Sequence, residues 1–231
     1  SSPARRVLTC LTLSEDVATE AVTTGVGLVV SHHPILFKAI RRITSETAEG
    51  RTLLTLLKGG VAVYSPHTAF DGAPNGINRR LAASLGLLDI QPIRPHVDDR
   101  SAGGGRFGRL AKSVLLREFL GSVRAALRVE TLGYVGDPQE PVRTVAVACG
   151  SAAEFLEDAA RADCDVLVTG EARFHACLEA RSLGIAMILA GHYATERPAI
   201  EELAHLIAER FPGLHSSASS VERDPLNWTT R

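Results

Sequence analysis

Residues 6–31 read RVLTCLTLSEDVATEAVTTGVGLVVS: an apolar run rich in Val, Leu and Thr, a stretch with helical periodicity, and a second short apolar run ending at Ser31. Strand over 6–13, helix over 14–24 and strand over 26–31 make a βαβ unit. A helix over 46–58 then stops at Gly59-Gly60, and a third strand follows over 61–65. The plan returns at residues 143–170, RTVAVACGSAAEFLEDAARADCDVLVTG, with strand over 143–149, helix over 152–162 and strand over 165–169. A helix over 172–183, Gly184 and a strand over 185–190 complete this second copy. The match extends to GVAVYSPHTAFD at 60–71 and GIAMILAGHYATE at 184–196. Each runs from a glycine through a buried-looking strand into His-x-x-x-carboxylate, giving His67/Asp71 and His192/Glu196. The reading is an α/β protein of two similar βαβ-containing halves, 6–100 and 140–226, within one domain spanning 1–231. Two halves so built are expected to face each other and build one site together.

Between the halves, the connector 101–139 holds Gly103-Gly104-Gly105, a strand over 106–110, a helix from about 113 to 127 and a strand near 129–135. A helix over 199–211 follows the second half. The tail from 214 alternates weakly before turning polar, and its last residues are expected to be disordered.

Composition narrows the function classes. The chain of 231 residues is 45% hydrophobic and 22% charged with a net charge of −1, as in ordinary globular proteins. No apolar run approaches the roughly 20 residues of a membrane span. Mixed charge signs give no footprint for a nucleic-acid backbone, so nucleic acid is a poor candidate partner. Cys10, Cys149, Cys164 and Cys177 lack CxxC spacing and read as reduced core thiols. The chain starts Ser1-Ser2 without methionine or a signal-like segment, so it reads as trimmed and cytoplasmic.

Loops at the carboxyl ends of parallel strands gather on one edge, where side chains from different strands converge. His32, His33, His67, Asp71, Glu171, His192 and Glu196 all stand just after strands in this reading. Adjacent histidines are more often solvated turn residues than ligands, but Pro34 restricts His33 to extended backbone. His192 and Glu196 fall one turn apart if a helix begins there, close enough to share a metal, and a capping role for Thr195 or Glu196 is compatible with this. Three imidazoles and two carboxylates leave coordination positions open for water or substrate. Such a shell suits zinc, iron or manganese without choosing among them. The glycine triplet lacks both the P-loop and the GxGxxG pattern, and GxSxG and HExxH are absent.

The motifs GLVVSHHPILF, VYSPHTAFDGAPNGINRRLAASLGL, CDVLVTGEARFH, AGHYATERPAIEELA, the connector GGGRFGRLAKSVLLREFL and the near-terminal DPLNW resemble the Nif-three-like family, also called GTP cyclohydrolase I type 2 homologues. The resemblance runs from about residue 6 to 226. It implies a three-layer Nif-three-like fold without an inserted central domain, and a ring-shaped homohexamer. It also implies two divalent metal ions per chain held by His32, His33, Asp71, His192 and Glu196, with Glu196 bridging. His67 and His175 then line the cleft as groups for proton transfer or ligand support, and a helix-start role for His175 stays open. The activity implied is metal-dependent hydrolysis of a small-molecule substrate, GTP first by the family's name, against the alternative of a non-catalytic metal-binding or interaction scaffold. In two places the chain departs from the family. A further N-terminal helix and strand ahead of Val7 are missing, and Thr12 stands where many members carry an aspartate.

Overall fold

The computed structural model describes residues 4–229. It divides into two compact units, residues 1–68 with 197–225, and residues 69–196 with 226–231. In chain order the first stretch holds β1 (Arg6–Cys10), α1 (Glu15–Thr23), β2 (Leu28–Ser31), α2 (Ala48–Gly59) and β3 (Ala62–Tyr64). There follow α3 (Thr68–Gly72), α4 (Ile77–Ser84), β4 (Leu88–Gln91), β5 (Arg94–Pro95), β6 (Gly103–Gly104), β7 (Arg106–Leu115), α5 (Leu116–Leu127) and β8 (Gly133–Val135). The last third holds β9 (Pro141–Ala148), α6 (Leu156–Arg161), β10 (Val166–Thr169), α7 (Phe174–Leu183), β11 (Ala186–Leu189), α8 (His192–Arg210) and β12 (His215–Ala218).

The first unit is built on a four-stranded sheet, β12-β1-β2-β3, with every neighbouring pair parallel. Its helices are set by local chemistry. Ser14 caps α1 by accepting the Val17 amide, Thr47 caps α2 by accepting the Gly50 amide, and Gly60 closes α2 in the left-handed conformation that a Cβ would strain. Val17, Ala18 and Ala21 of α1 and Leu56 of α2 bury with Leu8, Cys10 and Val29 of the strands in one core. On α8, the Ile200 carbonyl accepts the hydroxyl of Thr9 from β1 at 2.9 Å.

The second unit carries a six-stranded mixed sheet, β4-β7-β9-β10-β11-β8, in which β9, β10 and β11 run parallel and the outer strands antiparallel. Its core joins Ala146, Ala148, Leu167 and Met187 of the central strands to Leu156, Ala159 and Ala180 of the helices. The expected α/β class and its repeated βαβ units are thus present. No helix among the described residues is long and apolar enough to cross a membrane.

Several boundaries differ from expectation. The helix expected over 199–211 begins at His192 and carries Pro198 inside it, the Thr195 amide already donating to the Gly191 carbonyl. The helix over 152–162 is a 3₁₀ turn, Ala153–Phe155, followed by α6. The connector strand continues to Leu115, and α5 therefore starts at Leu116. The tail contributes β12, an edge strand that its weak alternation did not announce. The strand of GVAVYSPHTAFD is exposed along its length, since β3 lies at the sheet edge, whereas β11 is buried between two neighbours. Of the polar end expected to be disordered, Thr230 and Arg231 lie outside the described residues.

Candidate functional site

In the first unit, two neighbouring strand exits gather three histidines. His32 and His33 leave β2, tied back by their amides to the Cys10 and Leu11 carbonyls at 2.9 and 2.8 Å. His67 follows β3. The ring centroids stand 5.0 Å apart for His32 and His33, 5.3 Å for His32 and His67, and 5.9 Å for His33 and His67. One nitrogen from each lies within 4.8 Å of the others, so the three could hold a metal ion. His32 is 2% exposed. His67 has φ 44°, a left-handed backbone that costs a non-glycine residue of order 1–2 kcal/mol. Such strain tends to collect at functional sites.

The support behind these rings was hidden from sequence. The Thr12 hydroxyl is 2.8 Å from His33 Nδ1 and so holds that imidazole. Thr12 is itself fixed from the chain's far end. Glu222 accepts the amides of Leu11 and Thr12 at 3.0 and 2.6 Å and pairs with Arg197 at 2.9 Å. No spacing rule connects residue 12 with residue 222.

In the second unit, the exits of β9, β10 and β11 converge on the first turn of α8. His192 Nε2 lies 3.1 Å from Glu196 Oε2, and His192 Nδ1 lies 3.0 Å from Glu171 Oε1. The Glu196 hydrogen bond, working against the cost of burial, lifts the His192 imidazole to about 9, with the charges of Glu196 and Glu171 adding to it. Glu196 is 4% exposed. The backbone wraps it closely: a Cβ on Gly150 would stand 2.3 Å from Glu196 Oε1, and one on Gly170 would stand 2.8 Å from the His192 Cα. Gly150 is held there by its amide, which donates to Thr195 Oγ1, and by its carbonyl, which accepts the Thr169 hydroxyl.

Asp71 sits on α3, and its carboxylate accepts the Cys149 thiol at 3.3 Å. Burial, with the nearby charges of Asp71 and Glu196, keeps that thiol protonated by pushing it well above its ordinary value. All four cysteines are free thiols, as expected. His175 is exposed in the first turn of α7, with the Phe174 ring 5.9 Å away. The structure thus brings together His32, His33 and His67 in one unit and His192 with Glu196 in the other, sets Asp71 against Cys149, and leaves His175 beside Phe174. Thr12, Glu222, Gly150 and Cys149 are the supporting residues that sequence reasoning missed.

The comparisons with known proteins agree with this architecture. The family model Duf34/NIF3 (NGG1p interacting factor 3) matches residues 1–225. A Nostoc protein named GTP cyclohydrolase 1 type 2 homolog is 36% identical, covering 86% of this chain and 75% of its own. The Protein NIF3 homolog of Schizosaccharomyces pombe is 33% identical over 96% of this chain and 84% of its own. Among solved structures, a Bacillus cereus protein related to NIF3 superposes with a TM-score of 0.90, covering 99% of this chain and 90% of that one; at 20% identity this bears on the fold alone. The chain therefore belongs to the Duf34/NIF3 family.

Proposed function

We propose that this protein holds two divalent metal ions on His32, His33, Asp71, His192 and Glu196, with Glu196 bridging, and hydrolyses a nucleotide or related small molecule. Zinc, iron and manganese all suit a shell of imidazoles and carboxylates. The observation that carries the reading is Glu196. A carboxylate 4% exposed needs positive charge beside it, which the protonated His192 supplies and a divalent ion could supply in its place. Gly150, with no Cβ, leaves room for that carboxylate: a Cβ there would stand 2.3 Å from Glu196 Oε1. Bound there, two divalent ions would polarise a substrate oxygen and bring the pKa of a water molecule down towards neutrality.

The chain's own residues then have distinct tasks. Glu171 and Thr12 each meet the Nδ1 of a ligand histidine, which orients the ring and sets its tautomer. In this reading His67 or His175 donates or accepts a proton, a role supported for His67 by its strained backbone beside His32 and His33. GTP is the first substrate to try, on the names of the relatives. The cytoplasmic homohexamer implied by the resemblance belongs to the same reading.

A second reading, a metal-binding scaffold without catalysis, has one observation in its favour. The segment after His33 exposes Leu36, Phe37, Ile40 and Ile43, the kind of apolar surface a protein partner covers. The deciding experiment incubates zinc- or manganese-loaded protein with GTP, separates the products by chromatography and counts metal in the same samples. Turnover that disappears in Glu196→Ala supports the hydrolase. Two ions per chain with GTP and related nucleotides untouched favour the scaffold, and no bound metal overturns both.

A further inference from the structure

Asp71 is carried by a helix of five residues, α3, too short to hold its own geometry. Three buried polar side chains from elsewhere in the same unit converge on it. Arg106 is 1% exposed, and its guanidinium donates to the carbonyls of Gly72 and Ala73, the two residues after Asp71, at 3.1 and 2.9 Å. It also donates to the Gly103 and Gly105 carbonyls at 2.6 and 2.8 Å, which ties the glycine triplet to α3. Asn78, 4% exposed, donates from Nδ2 to the Asp71 carbonyl at 3.3 Å, and its Oδ1 accepts the Cys149 amide at 2.8 Å. The Cys149 thiol then closes the circuit on Asp71 Oδ1 at 3.3 Å. Cys149 thus reaches Asp71 twice, directly by its side chain and through Asn78 by its backbone.

We propose that Cys149 is a positioning residue for the metal ligand Asp71, its S–H holding carboxylate oxygen Oδ1 while Asn78 and Arg106 hold the backbone that carries it. The inference rests on the metal-binding reading above. It assigns a task to a cysteine that sequence alone classes as core filler. A free buried thiol is usually inert packing, but packing does not require its sulfur to point at a carboxylate. Supporting residues of this kind typically alter metal affinity by roughly 10–100-fold.

The test titrates cobalt(II) into metal-free wild-type protein, Cys149→Ala and Cys149→Ser, following visible absorption and bound metal per chain. Cys149→Ala should bind one of the two ions about 10–100-fold more weakly. Cys149→Ser keeps a donor in place and should stay within a few-fold of wild type. Equal binding by wild type and Cys149→Ala overturns the inference, and so does a Cys149→Ser protein as weak as Cys149→Ala, since volume and not the donor would then matter. Wild-type protein that binds no cobalt overturns the metal-binding reading itself, a result visible before any variant is made. Should Cys149→Ala fail to fold, the S–H stretching band that disappears in Cys149→Ser decides. Cobalt loading of wild-type protein should shift that band, and an unmoved band overturns the proposal.

Discussion

GVAVYSPHTAFD and GIAMILAGHYATE follow the same pattern and end differently in three dimensions. In the second, β11 is buried within its sheet, and Gly191 makes the turn after it at φ 95°, a conformation open to glycine at little cost. His192 can then start a helix, and Glu196 falls one turn on, 3.1 Å away. In the first, β3 is an exposed edge strand and no glycine stands at the turn, so His67 itself takes the left-handed backbone at φ 44°. Its ring joins His32 and His33, whereas Asp71 is held by Cys149. The same four-residue spacing therefore gives an ion pair at 3.1 Å in one place, and in the other a histidine whose ring meets His32 and His33 and an aspartate that accepts the Cys149 thiol. Spacing places donors near strand exits; the residue at the turn sets the backbone conformation from which they continue.

The strongest way to break this contrast acts on the glycine-lined side. Gly150→Ala puts a Cβ 2.3 Å from Glu196 Oε1 and forces an alanine into the left-handed region at φ 66°. We expect a loss of about 2–4 kcal/mol from strain and overpacking together, and weakened metal binding. Thermal melts of metal-free protein and a zinc titration check both, and a variant matching wild type in the two assays would mean that Gly150 does not cradle Glu196. A smaller effect sharpens the other side. If His67 carries the strain, His67→Gly should be more stable than His67→Ala by about 1 kcal/mol, the reverse of the usual order. Denaturant unfolding of both variants measures this directly, and a more stable alanine variant would remove the strain from the account.

The smallest effect concerns how the first unit retains its last strand. Glu20 on α1 accepts the Ser219 hydroxyl and the Ser220 hydroxyl and amide, just beyond β12. Burial works to raise its pKa, but these hydrogen bonds outweigh it and hold the carboxyl below its ordinary 4.5. A depressed carboxylate contributes stability that is complete above that ordinary value and lost as pH falls through the lowered one. The contribution of this partly exposed group, discounted for solvent screening, is under about 1 kcal/mol. Protection of the Ser220 amide against hydrogen exchange, corrected for intrinsic rate, should therefore hold from pH 7 to pH 5 and drop towards pH 3. Unchanged protection at pH 3 would mean that Glu20 does not tie the tail.

What could be read from the chain by itself was whatever repeats locally. Apolar runs, helical spacing and the Gly60 and Gly184 stops are properties of neighbouring residues, so the βαβ units and the strand exits bearing His32, His33, His67, Asp71, His192 and Glu196 were legible. The helix expected over 199–211 starts earlier, at His192, where the Thr195 amide already bonds the Gly191 carbonyl. The rest lay in contacts between distant residues. Glu222 meets Leu11 across 211 positions, Cys149 meets Asp71 across 78, and β12 finds its place only by pairing with β1. Sequence determined which donors exist and at which strand ends they stand. Tertiary structure alone decided which donors touch, which backbone is strained and which buried side chains hold them, because a hydrogen bond between remote residues leaves no periodic mark on the chain that makes it.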